Sequence, residues 1–354
     1  MPEQAPKVTP DARRGSMRRA LAPLLLLVAI VALVGYRAAS SAVSSSPGAV
    51  GWRAGPAFQG SVDLGATTTP LARNEWRAWK TRDLDSVSAF ERAARKHLSV
   101  IMWYSDWKRG TVSPAQLAAV ARRGSVPEIT WEPWDYTKGP YASQRQYSLR
   151  SIADGAHDAY IRSWAKGLAA YSKPVRLRFA QEMNGNWYPW SVSSYGNSAA
   201  EFVAAWRHVH DLFRGAGAGN VLWVWSPVAL PESINAQEYP GDRYVDMVGL
   251  SLFNGGAQLK YTRWQSFAAK LSRPLEILQR IAPGKPVEIS EVGVAERGGS
   301  KASWIQDMFK TLAATPQIVS LIWFNVPTAS DWRIETSRSA EQAFAAGAHS
   351  PRYR

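Results

Sequence analysis

The sequence predicts a (β/α)8 barrel, preceded by an amino-terminal signal or signal-anchor segment. Three observations carry the barrel. Eight strand-like apolar runs, at residues 62–67, 99–104, 126–131, 174–181, 220–226, 247–253, 286–291 and 318–325, are spread along the chain. Helix-period stripes stand between them: Val87, Phe90, Ala94 and Leu98, then Phe202, Trp206, Val209 and Phe213, then Trp304, Met308 and Leu312. The runs are nearly continuous in apolar residues, as strands are when both sheet faces are covered. Strand and helix in alternation over a chain of 354 residues suit one large α/β domain, placed at 56–350. A doubly wound nucleotide-binding sheet is the rival. Its devices are missing from the sequence, which has neither a Gly-x-Gly-x-x-Gly turn after an early strand nor a Gly-x-x-x-x-Gly-Lys-Ser/Thr loop.

The amino terminus is of another kind. Residues 1–19 are basic, with Lys7, Arg13, Arg14, Arg18 and Arg19, residues 20–36 carry no charge, and a linker rich in Ser, Ala and Gly covers 37–55. Basic flank, apolar run and small residues form an export signature. The 17 apolar-run residues lie between the length of a cleaved hydrophobic region and that of a short membrane span. Cleavage near Ser40–Ala42 and retention as an anchor, with 1–19 cytoplasmic by the positive-inside rule, both stay open. Either places the barrel outside the cell or on its surface.

Composition narrows the rest. The formal charge is +14, but beyond residue 42 it comes from 36 basic against 26 acidic residues, with no dense Lys/Arg run interleaved with aromatics. Nucleic acid is therefore not an expected partner. Cysteine is absent and the five His have no metal-ligand spacing, so neither metal nor cofactor is expected. A monomer is expected. The 17 Trp exceed the needs of a core and point to an aromatic-lined cleft. Trp76 and Trp79 are read as packing residues.

Active sites of such barrels sit at the carboxyl ends of the strands, so each strand end is read for chemistry. The second run closes on Trp103, Tyr104, Ser105, Asp106 and Trp107. The third closes on Trp131, Glu132, Pro133, Trp134 and Asp135, where Glu132 suits sugar hydroxyls and Trp134 a stacked ring. The fourth, residues 176–190, is the most informative. Glu182 stands at its end, Asn184 and Gly185 form a turn, and Trp187, Tyr188 and Trp190 follow. A carboxyl group beside flat indoles is the equipment of glycoside-bond chemistry. Asp242 and Asp246, ahead of the sixth run, read as loop and cap residues. The seventh run ends on Glu291, the natural partner of Glu182, while Glu288 is placed facing away from the mouth. Arg178, four residues before Glu182, shares its strand face by period two. It is assigned to hold Glu291 as a carboxylate, because one acid of such a pair stays protonated while the other stays ionised.

The fourth-strand residues, Arg178-x-x-Gln181-Glu182-Met183-Asn184-Gly185-x-Trp187-Tyr188-Pro189-Trp190, resemble the acid/base strand of glycoside hydrolase family 26, the β-mannanase family of the retaining (β/α)8 clan. Four further segments agree in order: 223–227, 239–246, 285–293, and Trp323 followed by 331–333. The resemblance implies a retaining endo-β-glycanase with Glu182 as acid/base and Glu291 as nucleophile. It also implies that Trp187 flanks the cleavage site and that Trp323 is the sugar platform. Two positions depart from the family: Gln181 replaces a His, and Phe253 replaces a Tyr that bonds the nucleophile. Gln181 still offers an amide to a sugar hydroxyl. Phe253 offers no hydrogen bond, which leaves the field at Glu291 to Arg178 or to a tyrosine such as Tyr104. Mannan, glucan and xylan all stay open as substrates, as does polysaccharide binding without catalysis.

Overall fold

Eight parallel strands close on themselves in chain order: β1 (Asp63–Thr68), β2 (Val100–Asp106), β3 (Val126–Glu132), β4 (Val175–Phe179), β5 (Val221–Trp225), β6 (Met247–Asn254), β7 (Val287–Val294) and β8 (Ile318–Asn325). The helices are α1 (Asp85–Ala94), α2 (Pro114–Arg122), α3 (Leu149–Ala153), α4 (Asp158–Tyr171), α5 (Ala199–Gly215), α6 (Phe267–Ile281), α7 (Lys301–Ala313) and α8 (Arg338–Ala348). The computed structural model describes residues 60–69, 71–73, 84–140, 142–259 and 262–354. The segments 1–19, 20–36 and 37–55, with Trp76 and Trp79, lie outside the described residues. Among the described residues, no helix is long and apolar enough to cross a membrane.

The expected (β/α)8 barrel is therefore the observed fold. Serine hydroxyls start six of the helices: Ser113, Ser148, Ser198, Ser266, Ser300 and Ser337 accept from amides of the first turn of α2, α3, α5, α6, α7 and α8. At α5 the cap is reciprocal, with Glu201 reaching back to the Ser198 amide. The three expected stripes are buried. Leu98 is buried too, but it stands beyond α1, where Arg95 turns left-handed and ends the helix.

Side chains alternate between the barrel axis and the helix layer. Val100, Met102 and Tyr104 of β2 meet Ile322 and Phe324 of β8 in one interior cluster. Trp131 of β3 points the other way, against Trp164 of α4 (ring centroids 5.0 Å) and Phe213 of α5 (5.7 Å). Trp131, Trp164, Trp206, Trp225 and Trp323 are fully buried. Much of the tryptophan surplus thus packs helices onto the barrel.

Most strand boundaries differ from the sequence expectation by one to three residues, and two of the differences bear on the site. β4 stops at Phe179, short of residue 181, and β7 continues to Val294, past Glu291. Within β7 the pairing with β6 steps from Leu250–Ile289 to Ser251–Glu291, so Ser290 is an extra, bulged residue. This corrects the placement of Glu288. Strict alternation sends residues 288 and 291 to opposite faces, but the bulge turns both to the axis. Glu288 bonds Arg176 (2.8 Å), one layer below the mouth, in a buried group with Asp63, Glu128 and Ser320. Burial, and next the charge of Glu288, hold the Glu128 carboxyl well above its usual range.

Candidate active site

After β4 the chain makes an unusual turn. Ala180 (φ 46°) and Glu182 (φ 55°) both take the left-handed conformation, which costs a residue with a Cβ about 1–2 kcal/mol. Bonds to neighbouring strands hold the turn: the Ala180 amide donates to Trp131 O (3.1 Å) and the Glu182 amide to Ser226 O (2.8 Å). The turn, not period-two alternation along β4, brings Glu182 over the axis. Strain of this kind collects at functional positions.

Glu182 and Glu291 line one cavity of about 560 Å³ at the carboxyl ends of the strands, within the range of small-ligand sites. Arg178 lies beneath it, fully buried. Its Nη1 bonds Glu291, and its Nη2 donates to Ser251 Oγ (2.6 Å). Ser251 in turn favours the charged form of Glu182. One guanidinium thus meets Glu291 directly and acts on Glu182 through a hydroxyl. Glu182 also accepts from Trp187 Nε1 at 3.0 Å. Burial, and then repulsion by Glu291, push the Glu182 carboxyl up to about 7, against the opposing pull of Arg178, Ser251 and Trp187. The indole of Trp187 lies so close over Gly185 that an added Cβ there would stand 2.6 Å from the ring. The Asn-Gly turn thereby fixes the indole beside the acid.

Tyr104 reaches the cavity from β2, on the side of Glu291. Burial first, then the Glu291 charge, raise its pKa well above the ordinary phenol value, so it stays a donor. Glu132 is held from two sides, by Gln181 Nε2 (2.7 Å) and Trp134 Nε1 (3.1 Å). Glu132, Trp134 and Trp187 all line the cavity, where the sequence put them.

Three expectations need correction. Gln181 is fully buried behind the cavity wall, and its amide is spent on Glu132 instead of facing a sugar. Trp190 is also behind the wall: its Nε1 donates to Gln181 O (2.7 Å), and its ring stacks under Tyr188 at 4.3 Å, leaving the half-buried Tyr188 as the partner that lines the cavity. Trp323 is no platform. Strand parity turns it outward against Phe344 of α8 (5.2 Å), and its neighbour Phe324 faces the cavity. Trp332, on the segment after β8, forms the wall with Phe324 and Phe253, its ring 5.0 Å from Phe253. Gly293 makes room for this pair, since a Cβ there would come within 3.1 Å of Phe253 and 3.2 Å of Trp332. Sequence reasoning also missed Ser251. Its signal was available, two residues before Phe253 and on the same strand face. Among the described residues, no group of His, Asp and Glu is arranged to hold a metal ion.

The Ser251 contact has a direct consequence. A hydroxyl that donates to a carboxylate favours the ionised form. Ser251→Ala is expected to raise the titration midpoint of Glu182 by about one unit, read from carboxyl ¹³C shifts in glutamate-labelled protein, while Ser251→Thr restores it. An unchanged midpoint would show that the contact carries no energy.

An eight-stranded parallel barrel, with two unequal carboxyl groups in an aromatic-walled cavity at the strand ends, is the architecture of a glycoside hydrolase. The chain belongs to glycosyl hydrolase family 26, whose model matches residues 132–332. It is 33% identical over 279 residues to Endoglucanase H of Acetivibrio thermocellus, a match that covers 75% of this chain and 29% of that one. It is 31% identical over 110 residues to the Mannan endo-1,4-beta-mannosidase of Bacillus subtilis (strain 168), covering 30% of this chain and 28% of that one. The chain thus spans under a third of the length of both relatives. The structure of a GH26 β-mannanase from Bacteroides ovatus superposes with a TM-score of 0.62 over 83% of this chain and 90% of that one, at 18% identity. That likeness concerns the fold.

Proposed function

We propose that the protein is a retaining endo-β-glycanase with Glu182 as acid/base and Glu291 as nucleophile. The observation that carries this reading is the pairing in one cavity of a carboxyl kept protonated to about pH 7 with a carboxyl held by Arg178. In the first step the Glu182 proton goes to the glycosidic oxygen as Glu291 attacks the anomeric carbon. The carbon–oxygen bond breaks and the leaving sugar departs as an alcohol. In the second step the Glu182 carboxylate takes a proton from water, the hydroxide equivalent attacks the anomeric carbon, and Glu291 leaves as a carboxylate. Tyr104 and Arg178 hold Glu291 through both steps, and Trp187 orients Glu182. The expected separation of carboxyl groups in retaining enzymes is about 5–5.5 Å.

Among β-linked polymers, a glucan is the favoured substrate. The match to Endoglucanase H runs over 75% of the chain, whereas the match to the mannosidase runs over 30%. Of the two departures, Phe253 lines the cavity with both carboxyl groups and Gln181 sets Glu132 on its wall, and both favour a change of sugar. Mixed-linkage glucan, mannan and xylan given to one enzyme preparation are expected to release reducing ends fastest from the glucan, with short oligosaccharides as products. ¹H NMR of the first product is expected to show the β-anomer. Fastest release from mannan would remove the glucan reading, and an initial α-anomer would remove retention. A protein that binds polymer and cuts none would replace catalysis by binding.

The chain is further proposed to be exported, with residues 20–36 as a cleaved signal or a membrane anchor; mass spectrometry of the mature amino terminus tests this. A monomer is proposed as well. Sedimentation at equilibrium tests that.

A further inference from the structure

A buried cation in the helix layer takes no part in the proposed chemistry. Lys301, the first residue of α7, is 1% exposed. Its ammonium donates to Arg333 O (2.6 Å), Thr336 Oγ1 (2.9 Å) and Asp331 O (3.3 Å). An ammonium has three N–H donors and no acceptor, so each donor has one oxygen. All three oxygens lie on the segment between β8 and α8. The two carbonyls belong to the residues on either side of Trp332, the indole that lines the cavity. Trp332 has tethers of its own as well: its amide donates to Val326 O (3.4 Å) and its ring packs on Phe253 (5.0 Å). Its Nε1 donates to Thr328 Oγ1 (3.0 Å), and its carbonyl accepts from Trp323 Nε1 (3.1 Å).

We infer that Lys301 is a positioning residue for sugar binding: from outside the cavity it grips the carbonyls flanking Trp332 and so sets that wall against the bound glycan. The inference rests on reading the cavity as a glycan site. It gives a buried lysine, remote from the reacting atoms, a bearing on affinity with none on bond cleavage.

The grip depends on charge. Burial lowers the Lys301 ammonium to about 8, against Glu296, Asp331 and Glu335, which favour the charged form, and with Arg333, which opposes it. Below that pH three donors meet three oxygens. Above it the neutral amine has two donors, and its lone pair faces a carbonyl oxygen. The wall is held below about pH 8 and loosens as pH rises through it.

The test uses the full chain carrying Glu182→Gln, which stops turnover and removes the titration of Glu182 itself. Binding of cellohexaose, with mannohexaose and xylohexaose beside it, is measured by calorimetry from about pH 6.5 to about pH 9.5. The hexasaccharide that binds is expected to weaken about tenfold across that range. Lys301→Met, which keeps the apolar stem, is expected to bind weakly at every pH, with no step near 8. Thr336→Val removes one of the three acceptors and is expected to fall between the two. Affinity that does not change with pH, or a Lys301→Met chain that binds as tightly as its parent, overturns the inference and leaves the glycan site standing. If Lys301→Met does not fold, the pH series and Thr336→Val decide. If none of the three sugars binds at any pH, the glycan reading falls and takes this inference with it.

Discussion

Glu291→Gln is expected to lose hydrolysis by on the order of 10⁴-fold or more, the scale seen when a covalent nucleophile is removed. The substitution keeps the shape of the side chain and an oxygen to accept from Arg178 Nη1, but it removes the negative charge and the nucleophile. Arg178 is then a fully buried cation without its ion-pair partner. Loss of one partner of such a pair costs about 3–5 kcal/mol when nothing replaces it. The amide oxygen replaces part of the interaction, so the variant is expected to fold with a lowered melting temperature. Activity and stability thus fall together, and they must be separated. A fluorinated glycosyl substrate that accumulates the covalent intermediate does this. In the wild type it is expected to label the peptide carrying Glu291, and in Glu291→Gln to label nothing. Label on Glu182 or Glu132 would reassign the nucleophile, and a folded variant with more than about a hundredth of the parent rate would remove Glu291 from the chemistry.

The barrel was legible because its signals are local and redundant. Most strand runs are nearly continuous in apolar residues, and each stripe repeats at helical spacing, so an error of two residues at a boundary leaves the topology intact. The two carboxylates were legible for a related reason, since both stand at strand ends that the closed barrel forces onto one face. What was not legible depends on parity, and parity is lost with a single irregular residue. The bulge at Ser290 reversed the expected direction of Glu288. The left-handed turn at Ala180 and Glu182 broke the period-two argument that linked Glu182 to Arg178, although both reach the site. Trp323 failed for the opposite reason: β8 is regular there, and counting from the inward Phe324 places Trp323 in the helix layer. The likeness of the β8 segment to a family pattern outweighed that count. Lys301 was invisible because its role comes from what another segment brings to it, whereas Ser251 was legible in the period-two pattern of β6 and was passed over.

The departure at Phe253 illustrates how a site keeps its function while exchanging parts. A phenylalanine there cannot donate to Glu291, but it packs against Phe324 and Trp332 and completes an apolar wall. The hydroxyl placed to donate is instead that of Tyr104 on β2, which lines the same cavity. The nucleophile retains a guanidinium and a hydroxyl, while the β6 side of the cavity becomes apolar. That side is where a sugar ring would be read by contact rather than by hydrogen bonds.

Glu182→Ala separates the two proposed steps. Proton donation by a positioned side chain contributes about 10²–10⁴-fold, and polymer hydrolysis, whose leaving group is a poor one, is expected to fall by that factor. An aryl glycoside with an acidic phenol leaves without a proton, so its glycosylation step is expected to stay near the wild-type rate. Deglycosylation then limits turnover, because no base remains to activate water. Added azide, which needs no base, is expected to restore turnover and give a glycosyl azide of retained configuration. The pH profile gives an independent check. Glu182 must be protonated in the free enzyme to act as the acid, and burial with the nearby Glu291 charge places its pKa at about 7. Wild-type kcat/KM on polymer is therefore expected to be full below that pH and to fall as pH rises through it. The same limb should vanish in Glu182→Ala assayed on the aryl glycoside. If azide gives no acceleration, or if the alkaline limb persists in the variant, the proton comes from another group, and Glu132, hydrogen-bonded to Gln181 and Trp134 on the same cavity wall, is the next to replace.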